Sequence, residues 1–492
     1  MITREAALAQ LEEDTWDILI IGGGATGLGA AIDAVSRGYR TALLEQSDFA
    51  KATSSRSTKL IHGGVRYLQQ GNVSLVRESL HERGLLLRNA PHFVQPLEFI
   101  IPVRSWGQKL YYGAGLKAYD LLAGKLGMAH SRMLSQAETQ RRLPTLQRDG
   151  FIGGVSYYDA QFDDARLAVS LAQTVNQKNG IALNYVRVHA LQKQGGRISG
   201  VEAEDGETGE RYHVSAKAVI NAAGIFSDEV RRMDDATAAI TLTLSQGAHL
   251  VVDRKFFPAS SAIIVPHTDD GRVLFLIPWH GATLIGTTDV PVSQAALEPR
   301  PFHHEIQFLI DHANRYLSTP IERSDLRSCF AGLRPLVKMG HTSSTARISR
   351  DHVVRTSESG MVSISGGKWT TFRKMGEDAV TAAIQSGGLA SSPSRTASYQ
   401  FTSSDSEANF KLDQLPTIHD DFIRECARTM LARSVEDVLA RRSRLLFVHA
   451  EEAVRHAPHV AQVLAEELKF DEHWVATQVE EFREAAQGYF PV

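Results

Sequence analysis

A predicted strand that runs into closely spaced glycines is the feature that most restricts how this chain can fold. Residues 17–29 read Asp-Ile-Leu-Ile-Ile-Gly-Gly-Gly-Ala-Thr-Gly-Leu-Gly. This spacing predicts a strand, a tight turn and a helix N-terminus, which together bind the pyrophosphate of a dinucleotide. Gly22 permits the turn, Gly24 lets a phosphate approach the backbone, and Gly27 lets the helix pack closely on the strand.

An acid at the end of the next predicted strand supports the same interpretation. The apolar run Thr41-Ala-Leu-Leu ends on Glu45, which lies 23 positions after Gly22. A carboxylate there accepts hydrogen bonds from the ribose hydroxyls of an adenosine and disfavours a phosphorylated 2′ position. The complete strand–helix–strand pattern over residues 16–46 therefore favours a nucleotide site over a chance glycine turn.

The composition is that of an ordinary globular protein and argues against several classes of protein. The 492 residues suffice for two or three domains, and a formal net charge of −3 gives no reason to expect nucleic acid. Cys329 and Cys426 are too few for a disulfide framework or a metal cluster, so we expect no metal and a reducing, cytoplasmic compartment. Residues 1–14 are too acidic for a signal peptide, and no apolar run is long enough to span a membrane.

Hydrophobic periodicity predicts an α/β protein followed by a helical module. Helices are expected over 73–90, 164–178, 304–317 and 372–385, and strands over 181–191, 199–203, 211–220 and within 247–290. Residues 386–405 are rich in Ser, contain a Gly-Gly pair and a proline, and indicate a linker. Residues 417–487 have helical spacing throughout and few glycines, which predicts an all-helical C-terminal part.

Hydroxyl-bearing residues follow the predicted nucleotide unit directly. Residues 52–68 read Ala-Thr-Ser-Ser-Arg-Ser-Thr-Lys-Leu-Ile-His-Gly-Gly-Val-Arg-Tyr-Leu. Such a run suits hydrogen bonding to an extended cofactor, and FAD, with its ribityl chain, needs it more than NAD does. A solvated Ser/Thr loop is the alternative interpretation, and it is the commoner meaning of such a run taken alone.

This stretch, with further motifs, resembles the FAD-dependent, quinone-linked glycerol-3-phosphate dehydrogenase family of the D-amino-acid-oxidase-like flavoproteins. The further motifs are Asp163-Asp-Ala-Arg-Leu167, Asn221-Ala-Ala-Gly224, Gly286-Thr-Thr-Asp-Val290, Gly332-Leu-Arg-Pro-Leu336, Ile348-Ser-Arg-Asp351, Ser365-Gly-Gly-Lys-Trp-Thr-Thr371 and the helical segment 434–447. The resemblance covers nearly the whole chain, in order.

The resemblance implies an α/β flavoprotein of two domains with an all-helical C-terminal cap. The expected Rossmann-type FAD-binding domain is discontinuous and comprises residues 1–100, 150–245 and 345–385. A β-rich substrate-binding domain is expected over residues 101–149 and 246–344, a linker over 386–405, and the helical domain over 406–492.

The implied reaction is the oxidation of sn-glycerol 3-phosphate to dihydroxyacetone phosphate, with hydride transfer from C2 to flavin. A phosphate dianion calls for arginine or lysine, and removal of the hydroxyl proton calls for a base such as histidine. His249, Arg334 and Lys368 are the expected catalytic residues. Arg66, Tyr67, Arg334 and Arg350 are expected to bind the substrate. Taken alone, each arginine is more typical of a salt bridge, and His249 of a buried structural histidine.

Arg334 lies between a glycine two residues before it and a proline directly after it, which predicts a loop position. The Gly366-Gly367 pair opens a predicted helix, whose N-terminus favours an anion; the family directs it at the flavin, with Lys368 adding charge. The resemblance implies FAD bound by Gly22, Gly24, Gly27, Glu45, Thr53, Ser54, Ser55, Ser57, His62, Ala223, Gly224, Gly367, Lys368, Trp369 and Thr370.

His62 lies where some relatives of the wider fold attach flavin covalently, but this family does not, so non-covalent FAD is expected. No motif identifies the electron acceptor: quinone is the usual one in the family, and some close relatives are oxidases. A dehydrogenase for another 2-hydroxy acid and a flavin-binding protein without turnover are further alternatives.

Residues 105–126 combine aromatic, leucine and lysine side chains, which suits either a membrane interface or an ordinary amphipathic helix. The expected partners are glycerol 3-phosphate, a membrane quinone, the membrane surface and a second copy of the chain in a homodimer, with no nucleic acid. The expected location is cytoplasmic, peripheral to the inner face of the cytoplasmic membrane.

Overall fold

Two β-sheets covered by helices organise the chain. The computed structural model describes residues 3–491 except 66–67, 69–70, 179, 267, 338–350, 402–411 and 416. The predicted substrate-binding residues Arg66, Tyr67 and Arg350 lie outside the described residues.

The first sheet contains the predicted nucleotide unit. Its main strands are β1 Trp16–Ile21, β2 Thr41–Leu44, β7 Ile181–Leu183, β10 Arg211–Asn221, β17 His352–Thr356 and β18 Val362–Gly366. Their order is β17–β18–β10–β1–β2–β7, and all neighbours are parallel except β17 and β18. Strands β8 (Val186–Gln194) and β9 (Arg197–Asp205) extend β10 as an antiparallel ribbon.

Helices bury both faces of this sheet. On one face pack α2 (Ala25–Arg37), α6 (Asp164–Gln177) and α9 (Phe372–Ser386). The short N-terminal helix α1 (Arg4–Glu13) packs on the other face with the β8–β10 ribbon. Helix α2 stops at Gly38, whose φ of 96° is the left-handed conformation that commonly ends helices.

The second sheet is mixed and carries the remaining strands. They are β3 Leu60–Ile61, β4 Val94–Val103, β5 Arg132–Ser135, β6 Gly153–Phe162, β11 Leu242–Asp253, β12 Ala262–Val265, β13 Leu274–Trp279, β14 Ala282–Gly286, β15 Val290–Val292 and β16 Leu326–Val337. The order is β15–β11–β14–β13–β12–β4–β6–β3, with β16 beside β11 and β5 beside β6. Further helices are α3 Val73–Asn89, α4 Trp106–Ala123, α5 Gln136–Arg142, α7 Ser227–Asp234 and α8 His303–Asn314.

The C-terminal part is helical, as the sequence predicts. It contains α10 Asp420–Arg428, a π-helical turn Asp437–Arg442, α11 Leu445–Val448, α12 Ala450–Leu468 and α13 Glu472–Ala486. Apolar residues of these helices share one hydrophobic core with the second sheet and α4. The C-terminal helices are therefore part of the main body of the protein.

The α/β fold class is confirmed, and two details differ from the sequence prediction. The strand predicted over 181–191 is two strands, β7 and β8, because the chain turns at Tyr185 with a φ of 58°. Strands β4 and β6 pair within the second sheet, although the predicted bounds put most of their residues in the FAD-binding domain. Sequence order does not reveal which sheet a strand joins when a domain is discontinuous.

Candidate functional site

Two adjoining cavities meet at the glycine turn that follows β1. The smaller has a volume of about 110 Å³ and lies at the ends of β1, β2 and β8. The larger has a volume of about 300 Å³ and extends from the turn to the second sheet. Both cavities are lined by Gly24, Thr53, Ser54, Ala222 and Gly224. Together they offer space for an extended ligand that passes the N-terminus of α2.

The geometry of the turn requires glycine at several positions. Gly22 has a φ of +108°, and a Cβ there would lie 2.7 Å from the carbonyl oxygen of Ala222. A Cβ at Gly27 would overlap the carbonyl oxygen of Gly22, so any larger residue pushes α2 away from the turn. Gly24 lines both cavities, where the absence of a side chain leaves the backbone accessible.

Glu45 lines the smaller cavity and is held by two backbone donors. Its Oε2 accepts from the N–H of Gly23 at 2.6 Å, and its Oε1 accepts from the N–H of Ser47 at 2.9 Å. Burial raises the pKa of Glu45, and the two N–H donors oppose that shift. The sequence prediction missed the part of the wall formed by residues 186–188 of β8, because the start of a strand carries no motif.

The predicted hydroxyl run divides into residues that line the cavities and residues that do not. Thr53 and Ser54 line both cavities, and Ser54 Oγ accepts from the N–H of Ala25 at 2.9 Å. Ser57 lines the larger cavity, but its hydroxyl donates to Asp164 Oδ2 at 2.7 Å. Ser55 is fully buried and lines neither cavity, so the structure does not bring it to the predicted cofactor site.

The segment between β18 and α9 forms another wall of the larger cavity. Gly366 and Gly367 have φ of +80° and +74°, which turn the chain into the 3-10 turn Trp369–Thr371. Predicted residues on this wall are Gly367, Lys368, Trp369 and Thr370. Lys368 Nζ donates to Ser79 Oγ at 2.6 Å.

Two contacts join this wall to the hydroxyl run. Trp369 Nε1 donates to the carbonyl oxygen of Ser54 at 2.8 Å, and the backbone N–H of His62 donates to Thr370 Oγ1 at 3.3 Å. His62 also lines the larger cavity, whereas Ala223 lines the smaller one. The segments that the sequence places far apart thus enclose one space.

Arg334 lies on a strand, and the loop prediction for it is wrong. Strands β11 and β16 are antiparallel, with Arg334 opposite Ser245 and Phe330 opposite His249. Among the described strands β16 pairs with β11 alone, so it is an edge strand, on which a proline such as Pro335 is tolerated. His249 and Arg334 are four residues apart in this register and therefore share one face of the sheet.

His249 is a buried, neutral imidazole. It is 2% exposed and stacks on Phe330 with ring centroids 4.9 Å apart, and its Nε2 lies 3.0 Å from Thr58 Oγ1. Burial, with the positive charges of Lys59 and Arg334, holds the pKa of His249 well below its usual range. The ring is therefore uncharged near neutral pH and able to accept a proton.

The guanidinium of Arg334 is oriented by the turn after β14. Its Nη2 donates to Thr287 Oγ1 and to the carbonyl oxygen of Thr288, both at 3.1 Å, and its Nη1 lies 3.5 Å from Asp289 Oδ1. A Cβ at Gly247 would overlap the guanidinium, so a glycine leaves the space that Arg334 occupies. The result is a positioned cation at the wall of the larger cavity.

Sequence reasoning missed two residues next to His249. Thr58 hydrogen-bonds the imidazole, and Lys59 is fully buried, with Nζ donating to Asp164 Oδ2 and to the carbonyl oxygen of Ser55, both at 2.7 Å. Burial, opposed by Asp164, lowers the pKa of Lys59 to about 7. Both residues fall within the hydroxyl run, but a sequence pattern does not tell which of its side chains turn towards the second sheet.

The chain is similar to known proteins over most of its length. The family described as FAD dependent oxidoreductase matches residues 17–373, and the C-terminal domain of alpha-glycerophosphate oxidase matches residues 398–474. A mitochondrial glycerol-3-phosphate dehydrogenase of Macaca fascicularis is 38% identical over 97% of this chain and 74% of its own length. The human protein of that name is 45% identical over 80% of this chain, which spans 56% of the human protein.

A solved structure resembles the whole chain. The X-ray structure of the glycerol-3-phosphate dehydrogenase from Bacillus halodurans complexed with FAD is 28% identical in sequence. The match has a TM-score of 0.80 and covers 99% of this chain and 97% of the other. An L-alpha-glycerophosphate oxidase from Mycoplasma pneumoniae, 18% identical with a TM-score of 0.61, shares the fold over 79% of this chain.

Proposed function

Because the chain belongs to the family of FAD-dependent glycerol-3-phosphate dehydrogenases, we propose that it oxidises sn-glycerol 3-phosphate at C2 to dihydroxyacetone phosphate. One observation carries the proposal: a neutral buried imidazole and a positioned guanidinium line one cavity, and that cavity adjoins the nucleotide turn. A secondary alcohol on a phosphate ester needs this pair, since one group accepts the hydroxyl proton and the other binds the dianion.

The residues present fit a bound FAD. Glu45 and the turn at Gly22 and Gly24 would hold the adenosine and pyrophosphate, and Thr53, Ser54 and the wall at residues 367–370 would hold the rest. FAD, once bound there, supplies the acceptor for the hydride that leaves C2.

We propose that FAD is held without a covalent bond, so acid precipitation of the purified protein should leave all the yellow colour in solution. Colour retained by the precipitate would point to a covalent link.

Arg334 is proposed to bind the phosphate, with Arg66, Tyr67 and Arg350 completing the site by family resemblance. A guanidinium forms paired, charge-assisted hydrogen bonds with phosphate oxygens, which give position as well as binding energy. Lys368, which lines the same cavity, adds positive charge where negative charge develops in the reaction. The negative charge of the substrate offsets the positive charges near His249. Substrate binding therefore raises the proton affinity of the imidazole when a base is needed.

The direct test is product identification. Purified protein is incubated with sn-glycerol 3-phosphate and a soluble quinone analogue, and dihydroxyacetone phosphate is measured. Glycerol and lactate serve as substrates without phosphate, and both should react far more slowly because neither offers a dianion to Arg334. Equal rates with lactate would favour the alternative of a 2-hydroxy acid dehydrogenase.

We further propose that electrons pass to a membrane quinone and that α4 contacts the membrane. One face of α4 is buried, yet Trp106, Leu110, Tyr111 and Leu121 are 69%, 60%, 60% and 83% exposed. Aromatic and leucine side chains on one exposed surface suit the headgroup boundary of a bilayer, here on the inner face of the cytoplasmic membrane. Within the described ranges, every helix falls short of the length or apolar character needed to cross a bilayer.

Liposome flotation tests the membrane contact. The protein should float with vesicles that contain anionic lipid, and less of it should float at high salt. A Trp106→Ser, Leu110→Ser, Tyr111→Ser triple variant should lose flotation. An Ile240→Ser variant, which removes an exposed apolar residue elsewhere, should keep it. Flotation unchanged by the triple change would remove α4 from the interface.

Oxygen is the alternative acceptor, favoured by the match of residues 398–474 to the C-terminal domain of alpha-glycerophosphate oxidase. The two acceptors differ in a simple assay, namely peroxide formation without quinone. The quinone proposal expects slow peroxide formation and fast quinone reduction. Fast peroxide formation would make the protein an oxidase.

A further inference from the structure

Among the residues that the structure describes, the hydroxyl of Thr58 is the hydrogen-bond partner of the His249 imidazole. The residue is 2% exposed, and its Nδ1 is buried without a hydrogen-bond partner among the described residues. Its other nitrogen, Nε2, is 3.0 Å from Thr58 Oγ1. Thr58 and His249 both line the larger cavity, so a substrate hydroxyl bound there can reach Nε2 by way of Thr58 Oγ1.

Packing opposes rotation of the ring to expose its second nitrogen. One ring face stacks on Phe330 at an interplanar angle of 14°. On the neighbouring strand, a Cβ at Gly286 would overlap the ring, so the imidazole packs directly against that backbone. A ring wedged between an aromatic face and a backbone keeps its orientation.

Thr58 is half-buried, lines the larger cavity and is held between two anchored neighbours. The hydroxyl of Ser57 and the ammonium of Lys59 both donate to Asp164 Oδ2 at 2.7 Å. Asp164 lies in the first turn of α6, so the backbone on both sides of Thr58 is tied to a buried helix. The hydroxyl of Thr58 thus has a fixed place beside the imidazole, at the wall of the cavity.

We propose that Thr58 relays the proton of the substrate hydroxyl to His249, an inference that rests on the proposed function. The O–H bond at C2 breaks and its proton passes to Thr58 Oγ1, while the proton of Thr58 forms a bond to His249 Nε2. The two electrons of the C–H bond leave C2 as hydride to FAD, and the substrate carbon becomes a carbonyl. The imidazole carries the proton until it is released to solvent.

The relay requires the imidazole tautomer with its hydrogen on Nδ1, because Nε2 must accept from Thr58. Among the described residues, Lys59 and Arg334 are the cationic side chains that lower the pKa of the ring, and they favour the neutral form that the relay needs. A threonine hydroxyl both donates and accepts, so it passes a proton on without holding a charge of its own. Thr58 would therefore be a catalytic residue that touches the substrate, with His249 as the base behind it.

Valine and serine at position 58 separate the hydroxyl from the size of the side chain. Thr58→Val removes the hydroxyl at nearly constant volume, and Thr58→Ser keeps it. Thr174→Val is the matched control, since Thr174 is a buried threonine on α6 that donates to the carbonyl oxygen of Ser170 at 2.7 Å. All variants are studied as holoenzymes containing FAD.

The first measurement is the rate of flavin bleaching after anaerobic mixing with sn-glycerol 3-phosphate. Thr58→Val should slow it by about 100-fold, the lower end of what a positioned acid–base group contributes. Thr58→Ser should stay within about tenfold of the wild type, and Thr174→Val should be unchanged. A Thr58→Val rate equal to wild type, or a Thr58→Ser rate as slow as that of Thr58→Val, would overturn the relay.

The second measurement does not depend on turnover. Nitrogen-15 NMR of labelled histidine, with His249→Asn to assign the signal, reports which ring nitrogen accepts a hydrogen bond. Nε2 should be the acceptor in the wild type and shift in Thr58→Val, and dihydroxyacetone phosphate should bind both proteins with similar Kd. A hydrogen on Nε2 would overturn the relay. Failure of the wild-type flavin to bleach would instead reject the proposed substrate, because the NMR result stands without it.

Discussion

The buried imidazole of His249 determines the pH dependence that we expect of substrate oxidation. Only the neutral ring accepts a proton, so kcat/KM should fall as pH drops through the pKa of His249 in the free enzyme. Burial, Lys59 and Arg334 lower that pKa, so the fall should begin below pH 6.5, the usual value for histidine. His249→Asn should slow anaerobic flavin bleaching and flatten this limb while FAD stays bound. A limb that persists in His249→Asn would assign the proton to another group.

A substitution of Arg334 tests whether this single residue binds the phosphate. Arg334→Ala should lower kcat/KM for glycerol 3-phosphate by tens to thousands of fold, since one buried charge-assisted contact is worth about 2–5 kcal/mol. Arg315→Ala is the control, because Arg315 pairs with Asp269 on the surface and lines neither cavity. Equal kcat/KM values for Arg334→Ala and wild type would exclude Arg334 from the substrate site.

Single residues also show which features of the site the sequence predicts and which it does not. The spacing of Gly22, Gly24 and Gly27 predicts their place, because backbone geometry at a tight turn depends on the residue type itself. The sequence of the hydroxyl run does not predict which of its side chains reach the cavities. Thr53 and Ser54 line them, whereas Ser55 is buried in the core. Which way a side chain points within a 3-10 turn depends on its tertiary neighbours, and no local pattern carries that information.

At the level of elements, the junction of β1 and α2 should tolerate no added side chain. A Cβ at Gly27 overlaps the carbonyl of Gly22, so Gly27→Ala should move the helix N-terminus and weaken FAD binding strongly. Gly115→Ala is the control, because Gly115 lies inside α4 with open space around its Cα. The check is the FAD content after gel filtration, which should be low in Gly27→Ala and unchanged in Gly115→Ala. Full FAD content in Gly27→Ala would contradict the assigned role of the turn.

Elements with strong periodicity were predictable, and strands interrupted by glycine or proline were not. Helices α3, α6 and α9 lie within a residue or two of their predicted bounds. Strand β16 reads as a loop around Arg334 because Gly332 and Pro335 are common in turns. The edge position of β16 tolerates the proline, and the approach of Arg56 to Gly332 accounts for the glycine. Both explanations depend on tertiary contacts, which the local sequence does not contain.

Across the whole molecule, a buried ionic cluster joins the C-terminal helices to the nucleotide unit. Asp48, just after Glu45 in the chain, is fully buried and accepts hydrogen bonds from Arg441 and Arg442 on the π-helical turn. Burial raises the pKa of Asp48, but the two arginines outweigh it, so the pKa lies below its usual range. The stability that these two ion pairs contribute is thus present at neutral pH and is lost as the pH falls through the lowered pKa of Asp48.

Asp48→Asn should therefore destabilise the whole protein. The change leaves Arg442 without its carboxylate partner, whereas Arg441 keeps Glu436 and Asp437. Breaking a buried ion pair in this way costs about 3–5 kcal/mol. The free energy of unfolding, measured with urea, should fall by that amount, with FAD release and unfolding in one transition. Asp269→Asn, at an exposed pair with Arg315, should change it little. A small effect of Asp48→Asn would show that the C-terminal helices are only loosely coupled to the nucleotide unit.

The most direct test of the central claim is anaerobic mixing of the purified protein with sn-glycerol 3-phosphate while the flavin absorbance is recorded. It examines cofactor, substrate and catalytic competence together, without any assumption about the electron acceptor. We predict rapid bleaching of the oxidised flavin band and one dihydroxyacetone phosphate formed per FAD. A protein that holds FAD but keeps its oxidised spectrum with glycerol 3-phosphate, or bleaches equally with glycerol, would contradict it.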